Sequence, residues 1–183
     1  MTSFGVQDVN MTTDTKQKSS ERTDLVEALT SHRSFLCQTV QGLSDEQAKQ
    51  RTTTSELCLW GLIKHVSLME QGWVDFIERG TDAIGPADQA AMESHLAGFR
   101  MLEGETLTSL LDAYEQVARH TDGLVAELPS LDVSHALPEA PWFESGTRWS
   151  ARRAILHIIG ETAQHAGHAD IIRESLDGAK TMG

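Results

Sequence analysis

Leu156-His157-Ile158-Ile159-Gly160-Glu161-Thr162-Ala163-Gln164-His165-Ala166-Gly167-His168-Ala169-Asp170-Ile171-Ile172-Arg173-Glu174 is the stretch on which the reading of this chain turns. Its period is helical. Ala154, Ile158, Ala169, Ile172 and Leu176 gather on one side of a wheel drawn at about 100° per residue. With His157 at zero, that apolar face centres near ~90°, His165 falls near ~80°, Glu161 near ~40° and His168 near ~20°. His165 therefore sits in the middle of the face that must be buried, with Glu161 one turn before it. His157 and His168 lie towards one edge. A lone buried carboxylate and a lone buried imidazole each cost several kcal/mol if unsatisfied. At i and i+4 the two side chains reach one point, and a metal ion there would remove the penalty; a helix ion pair is the bland alternative.

Working outward, Ser150 caps this helix, which reads from about Ala151 to Leu176 and stops near Gly178. Before it lies a long aromatic connection, 129–149, with Pro129, Pro138, Pro141, Trp142, Phe143 and Trp149. A further helix opens at Thr106 or Thr108 and runs to about Leu128, its stripe formed by Leu107, Leu110, Leu111, Tyr114, Val117, Leu124 and Val125. The connection 81–105 carries Gly85-Pro86, Gly98 and Gly104, with a short helix expected around 87–96. Thr52-Thr53-Thr54-Ser55 is a start signal for a helix from about Glu56 to Arg79, stopped by Gly80. That helix buries Leu59, Leu62, Val66, Met69, Trp73, Phe76 and Ile77. The first helix starts near Arg22, with Leu25, Leu29, Phe35, Leu36 and Val40 on its face, and Gly42 ends it. Ser44-Asp45-Glu46-Gln47 reads as the cap of a short extra turn. Strand signals are weak, and no repeat of 20–50 residues is present. Four long amphipathic helices joined by one or two long connections predict an all-α four-helix bundle.

Composition bounds the function. The 183 residues suit one domain, and the formal charge of −12 falls wholly in 21–183, because Asp8 and Asp14 cancel Lys16 and Lys18. Phosphate affinity comes from Lys and Arg, so a nucleic-acid partner is not expected. No apolar run reaches the ~20 residues of a membrane span. The polar stretch 1–20 shows no apolar period and lacks a secretory pattern, which predicts a disordered extension and a cytoplasmic protein. The domain is expected over 21–178, followed by a tail at 179–183. Cys37 and Cys58 are expected as free thiols.

A metal held by Glu161 and His165 needs a third ligand from another helix, and His65 is the best candidate. It lies about 60° from the centre of its helix's apolar stripe and would face the pair across the bundle. Two His and one carboxylate leave open positions for water or substrate, and zinc, nickel and ferrous iron all accept them. His32, His95, His120 and His135 lack such company and read as surface or loop residues. Cys58 reads as a small buried hydrophobe.

Two segments, Leu62-Ile63-Lys64-His65-Val66 and the 156–174 stretch above, resemble the DinB-like superfamily of metal-binding four-helix bundles. The resemblance spans most of 22–178. The common pattern of that superfamily is a His on the second helix and His-x3-His on the fourth. This chain carries Glu161 where the first of that pair would be His, as in the mycothiol-dependent maleylpyruvate isomerase branch. The Gly167-His168-Ala169-Asp170 run and Arg173 are similar to a subgroup of uncharacterised DinB-like proteins. The resemblance implies His65, Glu161 and His165 as metal ligands, an up-up-down-down bundle with long crossovers, and often a homodimer. It also implies a divalent metal, zinc foremost, and a low-molecular-weight thiol of the mycothiol or bacillithiol type as cosubstrate. The expected activity is S-transfer to, or isomerisation of, a small electrophile. His168 is then the candidate base or thiol-orienting group. Arg173 is the candidate for holding a cosubstrate or a substrate carboxylate, with Arg152 and Arg153 as further cations, and the Trp142-Phe143 loop is a candidate cover. The reading leans to an enzyme. A metal-dependent hydrolase and a non-enzymatic dimeric bundle are the alternatives.

Overall fold

The computed structural model describes residues 7–83, 93, 98–141 and 143–181, with side chains from Ser20 onward. Four long helices form the bundle: α1 (Gln7–Gln38), α3 (Leu59–Arg79), α4 (Leu107–Glu127) and α5 (Ala151–Asp177). A single turn, α2 (Asp45–Ala48), and a short 3-10 turn (Thr81–Ala83) lie in the connections. The 129–149 connection folds into a small antiparallel pair, β1 (Ser134–Ala136) and β2 (Arg148–Ser150), with His135 opposite Trp149.

The caps explain the boundaries. Ser44 and Gln47 form a reciprocal capping box on α2, as the Ser-Asp-Glu-Gln run predicts. Thr106 caps α4 and Ser150 caps α5. The start of α3 differs from expectation. Thr53 and Ser55 take up the amides of Ser55 and Leu57 in local turns, so the helix begins only at Leu59, with the Cys58 sulfur accepting from the Gly61 amide at 3.4 Å. The α1 helix reaches back to Gln7, into the 1–20 segment whose composition reads as disordered. At the other end, the amides of Ala179 and Thr181 bond to Asp177 and Asp170, folding the tail back onto α5. The short helix expected around 87–96 falls, except for Glu93, outside the described residues.

The molecule is the all-α bundle that the periodicity predicts, but the directions of its helices differ from an up-up-down-down order. Glu21, near the middle of α1, meets Arg152 at the start of α5, and Arg173 near the end of α5 meets Thr39 after α1; these two helices are parallel. Along α3, His65 meets His165 and Trp73 meets His157, so α3 runs against α5. Lys64 pairs with Glu105 and Glu78 with His120, so α4 runs with α3. The order is up, down, down, up. Only the connection from α3 to α4 travels the length of the bundle. The other two return at one end, which a chain reading cannot distinguish from a crossover.

The core has two apolar halves. Leu36, Val40, Trp60, Leu62, Ile63, Ala169 and Ile172 fill one end; Leu29, Phe76, Ile77, Val125, Ile155 and Ile158 fill the other. Glu70, fully buried, holds the Arg33 guanidinium across the interior, and Asp122 and Thr121 of α4 complete the network. Burial pushes the guanidinium pKa down, yet the bonds from Glu70 and Asp122 outweigh it and hold it above its ordinary value. Among the described residues no helix is long and apolar enough to cross a membrane.

Candidate metal centre and its cavity

The three residues expected as metal ligands come together. His65 projects from the second turn of α3, and Glu161 and His165 from successive turns of α5. One ligand atom of each lies within 4.8 Å of the other two. The His165 Nε2 stands 3.6 Å from a Glu161 carboxylate oxygen, beyond a good hydrogen bond, so the pair faces a common point without satisfying itself. The His65 and His165 rings meet edge to face, centroids 4.8 Å apart. Burial pushes the His165 pKa down, against the pull of Glu161, and His168 adds to the lowering. Its imidazole is therefore held in the neutral form that a metal requires. Two imidazoles and one carboxylate, all half-buried and convergent, fit a divalent ion.

Two neighbours set the imidazoles. Phe99 stacks on His65 at 4.2 Å and 17°. Its backbone reaches α3 because residue 61 is glycine: a Cβ there would sit 2.6 Å from the Phe99 carbonyl oxygen. His168 Nδ1 lies 3.5 Å from His165 Nδ1, behind the face turned to Glu161. A group on the second ring nitrogen is one that would orient His165 if it held a metal.

The centre opens into a cavity of about 590 Å³. Its walls are His65, Met69, Trp73, Phe99, Phe143, Trp149, His157, Glu161 and His165. Trp73 and Trp149 stack at 4.7 Å and 16°. The His157 ring stands edge-on to both, at 5.0 and 5.2 Å. Burial lowers the His157 pKa against the opposing pull of Glu161.

Several sequence expectations land elsewhere. His168 touches His165 and does not line the cavity. Arg173 is not brought to the cavity either: its guanidinium donates to the carbonyls of Thr39 and Gln41 and to Asp177, closing the C-terminal end of α1. That follows from the parallel packing of α1 and α5, which no single-helix pattern reveals. Arg152 pairs with Glu21 and Asp132, and Arg153 lies over the Trp149 ring at 4.4 Å. Phe143 reaches the cavity, whereas Trp142 lies outside the described residues. His120 is exposed and pairs with Glu78, but His135 is half-buried on β1, its Nε2 3.1 Å from the Ile77 carbonyl. His95 lies outside the described residues. Cys37 and Cys58 are free thiols, as expected.

His157, Phe99 and Trp149 were not legible as cavity residues. For His157 a signal existed, one turn before Glu161 at the edge of the same helix's buried face. Phe99 carries none, because it sits in a connection without periodicity.

No curated protein matches the chain. Among solved structures, a conserved protein from Enterococcus faecalis shares the fold at a TM-score of 0.61 and 11% identity. The alignment covers 86% of this chain and 97% of that one. The family model for mycothiol S-transferases matches residues 24–178, a span that holds all three candidate ligands and every described cavity residue. The chain therefore belongs to the mycothiol S-transferase family, within the DinB-like superfamily.

Proposed function

We propose that the protein is a metal-dependent S-transferase that joins a low-molecular-weight thiol, mycothiol foremost, to a small electrophile. The observation that carries the reading is the convergence of His65, Glu161 and His165 in the wall of a single aromatic cavity; the family adds the thiol. These three residues hold the ion, for which zinc is the best match to two imidazoles and one carboxylate, and nickel or iron are alternatives. A divalent ion bound there lowers the pKa of a thiol and so presents it as thiolate. The chain's own contributions are separable from that. Glu161 supplies the one negative charge of the ligand set. His168, at the Nδ1 of His165, and Phe99, on the face of His65, keep the two rings in place. Trp73, Phe143 and Trp149 exclude water from the reacting end. His157, neutral and facing the same space, is the group available to take the thiol proton. The proposal includes a cytoplasmic location, where such thiols stay reduced. It assigns no role in DNA binding, in keeping with the −12 charge.

The test is elemental analysis of the protein purified without added metal or chelator, beside Glu161→Ala and His165→Ala, followed by turnover of an electrophile with and without thiol. The expected result is about one divalent ion per chain, lost in both variants, and turnover that needs both ion and thiol. Full metal occupancy in either variant refutes the ligand set. Turnover that ignores the thiol refutes the transferase and leaves a hydrolase.

A further inference from the structure

We infer that the cavity selects an uncharged, flat aromatic electrophile and rejects one that carries a carboxylate, with the Trp73–Trp149–His157 wall as the surface against which the ring lies. The inference rests on the transferase reading for its chemistry, but not for its binding preference.

The first observation is the charge of the walls. Of the nine described lining residues none is Lys or Arg, and Glu161 is the one carboxylate among them. Of the cations nearby, Lys64 holds Glu105 and the Arg100 carbonyl, Arg152 holds Glu21 and Asp132, and Arg173 closes α1. Arg153, exposed over the Trp149 ring, and Arg100, exposed beyond Phe99, lie outside the lining. The undescribed part of the 80–106 connection does not alter this, since residues 80–99 contain no Lys or Arg. A divalent ion is already balanced by Glu161 and one thiolate, so it leaves no surplus for an anionic electrophile. A carboxylate entering this space would lose its hydration beside another carboxylate, with no cation of the described lining to replace it.

The second observation is shape. The two indoles stack on each other, and both are held in place by edge contacts, from His157 to each and from Phe143 to Trp149 at 5.9 Å and 70°. Each indole has one face on the other, and Arg153 covers the second face of Trp149, so the wall favours edge contact with another ring. Met69, packed against both halves of the core, forms an adaptable floor. For an aryl halide as the electrophile, the thiolate sulfur forms a bond to the ring carbon that bears the halogen, the carbon–halogen bond breaks, and halide leaves with the electron pair. The thiol proton goes to His157 or to water.

The test uses the full-length, zinc-loaded protein and two matched, unreactive probes, dinitrobenzene and dinitrobenzoate. Binding is read by equilibrium dialysis. Turnover is read separately with mycothiol and the chloro-derivatives of both probes, each rate divided by its uncatalysed rate. Dinitrobenzene is expected to bind at least about ten-fold tighter than dinitrobenzoate. Trp149→Leu and Trp73→Leu should each weaken dinitrobenzene several-fold, and Met69→Lys should narrow or invert the preference by adding the missing cation. Equal or tighter binding of dinitrobenzoate by the wild type overturns the inference, as does an unchanged dinitrobenzene affinity in both Trp variants. Should the binding preference hold while neither chloro-compound turns over, the transferase reading falls and the selectivity stands.

Discussion

Replacing Gly61 with alanine tests whether the close approach of Phe99 to α3 is what sets His65. In most helices the exchange stabilises, by roughly 0.5–1 kcal/mol, because alanine loses less backbone entropy on folding. At Gly61 the new Cβ would lie 2.6 Å from the Phe99 carbonyl oxygen, and real Cβ atoms essentially never come closer than 3.0 Å. The obstacle is backbone rather than a flexible side chain, so the 98–100 segment must move by at least the missing 0.4 Å. Overpacking of this kind costs about 1–3 kcal/mol, which exceeds the gain in helix propensity. Gly72, on the same helix, has nothing within 4 Å of its Cβ position and is the internal control. Urea unfolding followed by far-ultraviolet circular dichroism should therefore show Gly72→Ala stabilised and Gly61→Ala destabilised. The gap between them should be about 1–3 kcal/mol, or about 2–4 °C in Tm per kcal/mol for a chain of this size. Because Phe99 stacks on His65, Gly61→Ala should also weaken zinc binding, by about ten-fold or more if ligand orientation here counts as it does in other metal sites. Gly61→Ala matching the stabilisation of Gly72→Ala, with zinc affinity intact, would refute the reasoning.

Other expectations follow from single contacts. Glu70→Ala leaves the Arg33 guanidinium buried with only Asp122, and should cost about 3–5 kcal/mol in urea unfolding; a loss under 1 kcal/mol would show that Arg33 finds water instead. Burial pushes the Cys37 thiol up from 9.0 to about 11, with Arg33 pulling the other way. Alkylation of folded Cys37 should therefore be slow at pH 8 and accelerate only as pH approaches 11, while in denaturant it should accelerate near its ordinary pKa. The sign for stability is the same: a thiol pKa raised on folding contributes fully below pH 9, and that contribution is lost between pH 9 and about 11. Arg173→Ala should lower stability by about 1–2 kcal/mol through the lost bonds to the Thr39 and Gln41 carbonyls, yet leave metal content and the KM for thiol unchanged. A selective rise in that KM would return Arg173 to cosubstrate binding.

The four helices, and the pairing of Glu161 with His165, were legible because both are properties of one period. A residue's angle on its own helix settles whether it faces inward, and Thr106, Ser150, Gly80 and Gly178 mark ends through local hydrogen bonds and backbone geometry. Even His65 could be nominated, since a metal needs a third donor and few histidines lie near an apolar face. Cap competition is local but harder to read: Thr53 and Ser55 had the chemistry of an N-cap and spent it on turns.

What only the tertiary structure decided is how separate elements meet. Helix direction, the placement of Arg173 against the end of α1 rather than at the cavity, and the turn of His168 towards His165 all depend on which helices are neighbours. Phe99 and Trp149 enter the site from connections that have no period to read, held by a glycine on α3 and by the short β1–β2 pair. The sequence by itself determined the helices and the pairing of Glu161 with His165, because those are set by spacing along one chain segment. The shape and charge of the space around the ligands were decided by packing, because they belong to surfaces that no single segment owns.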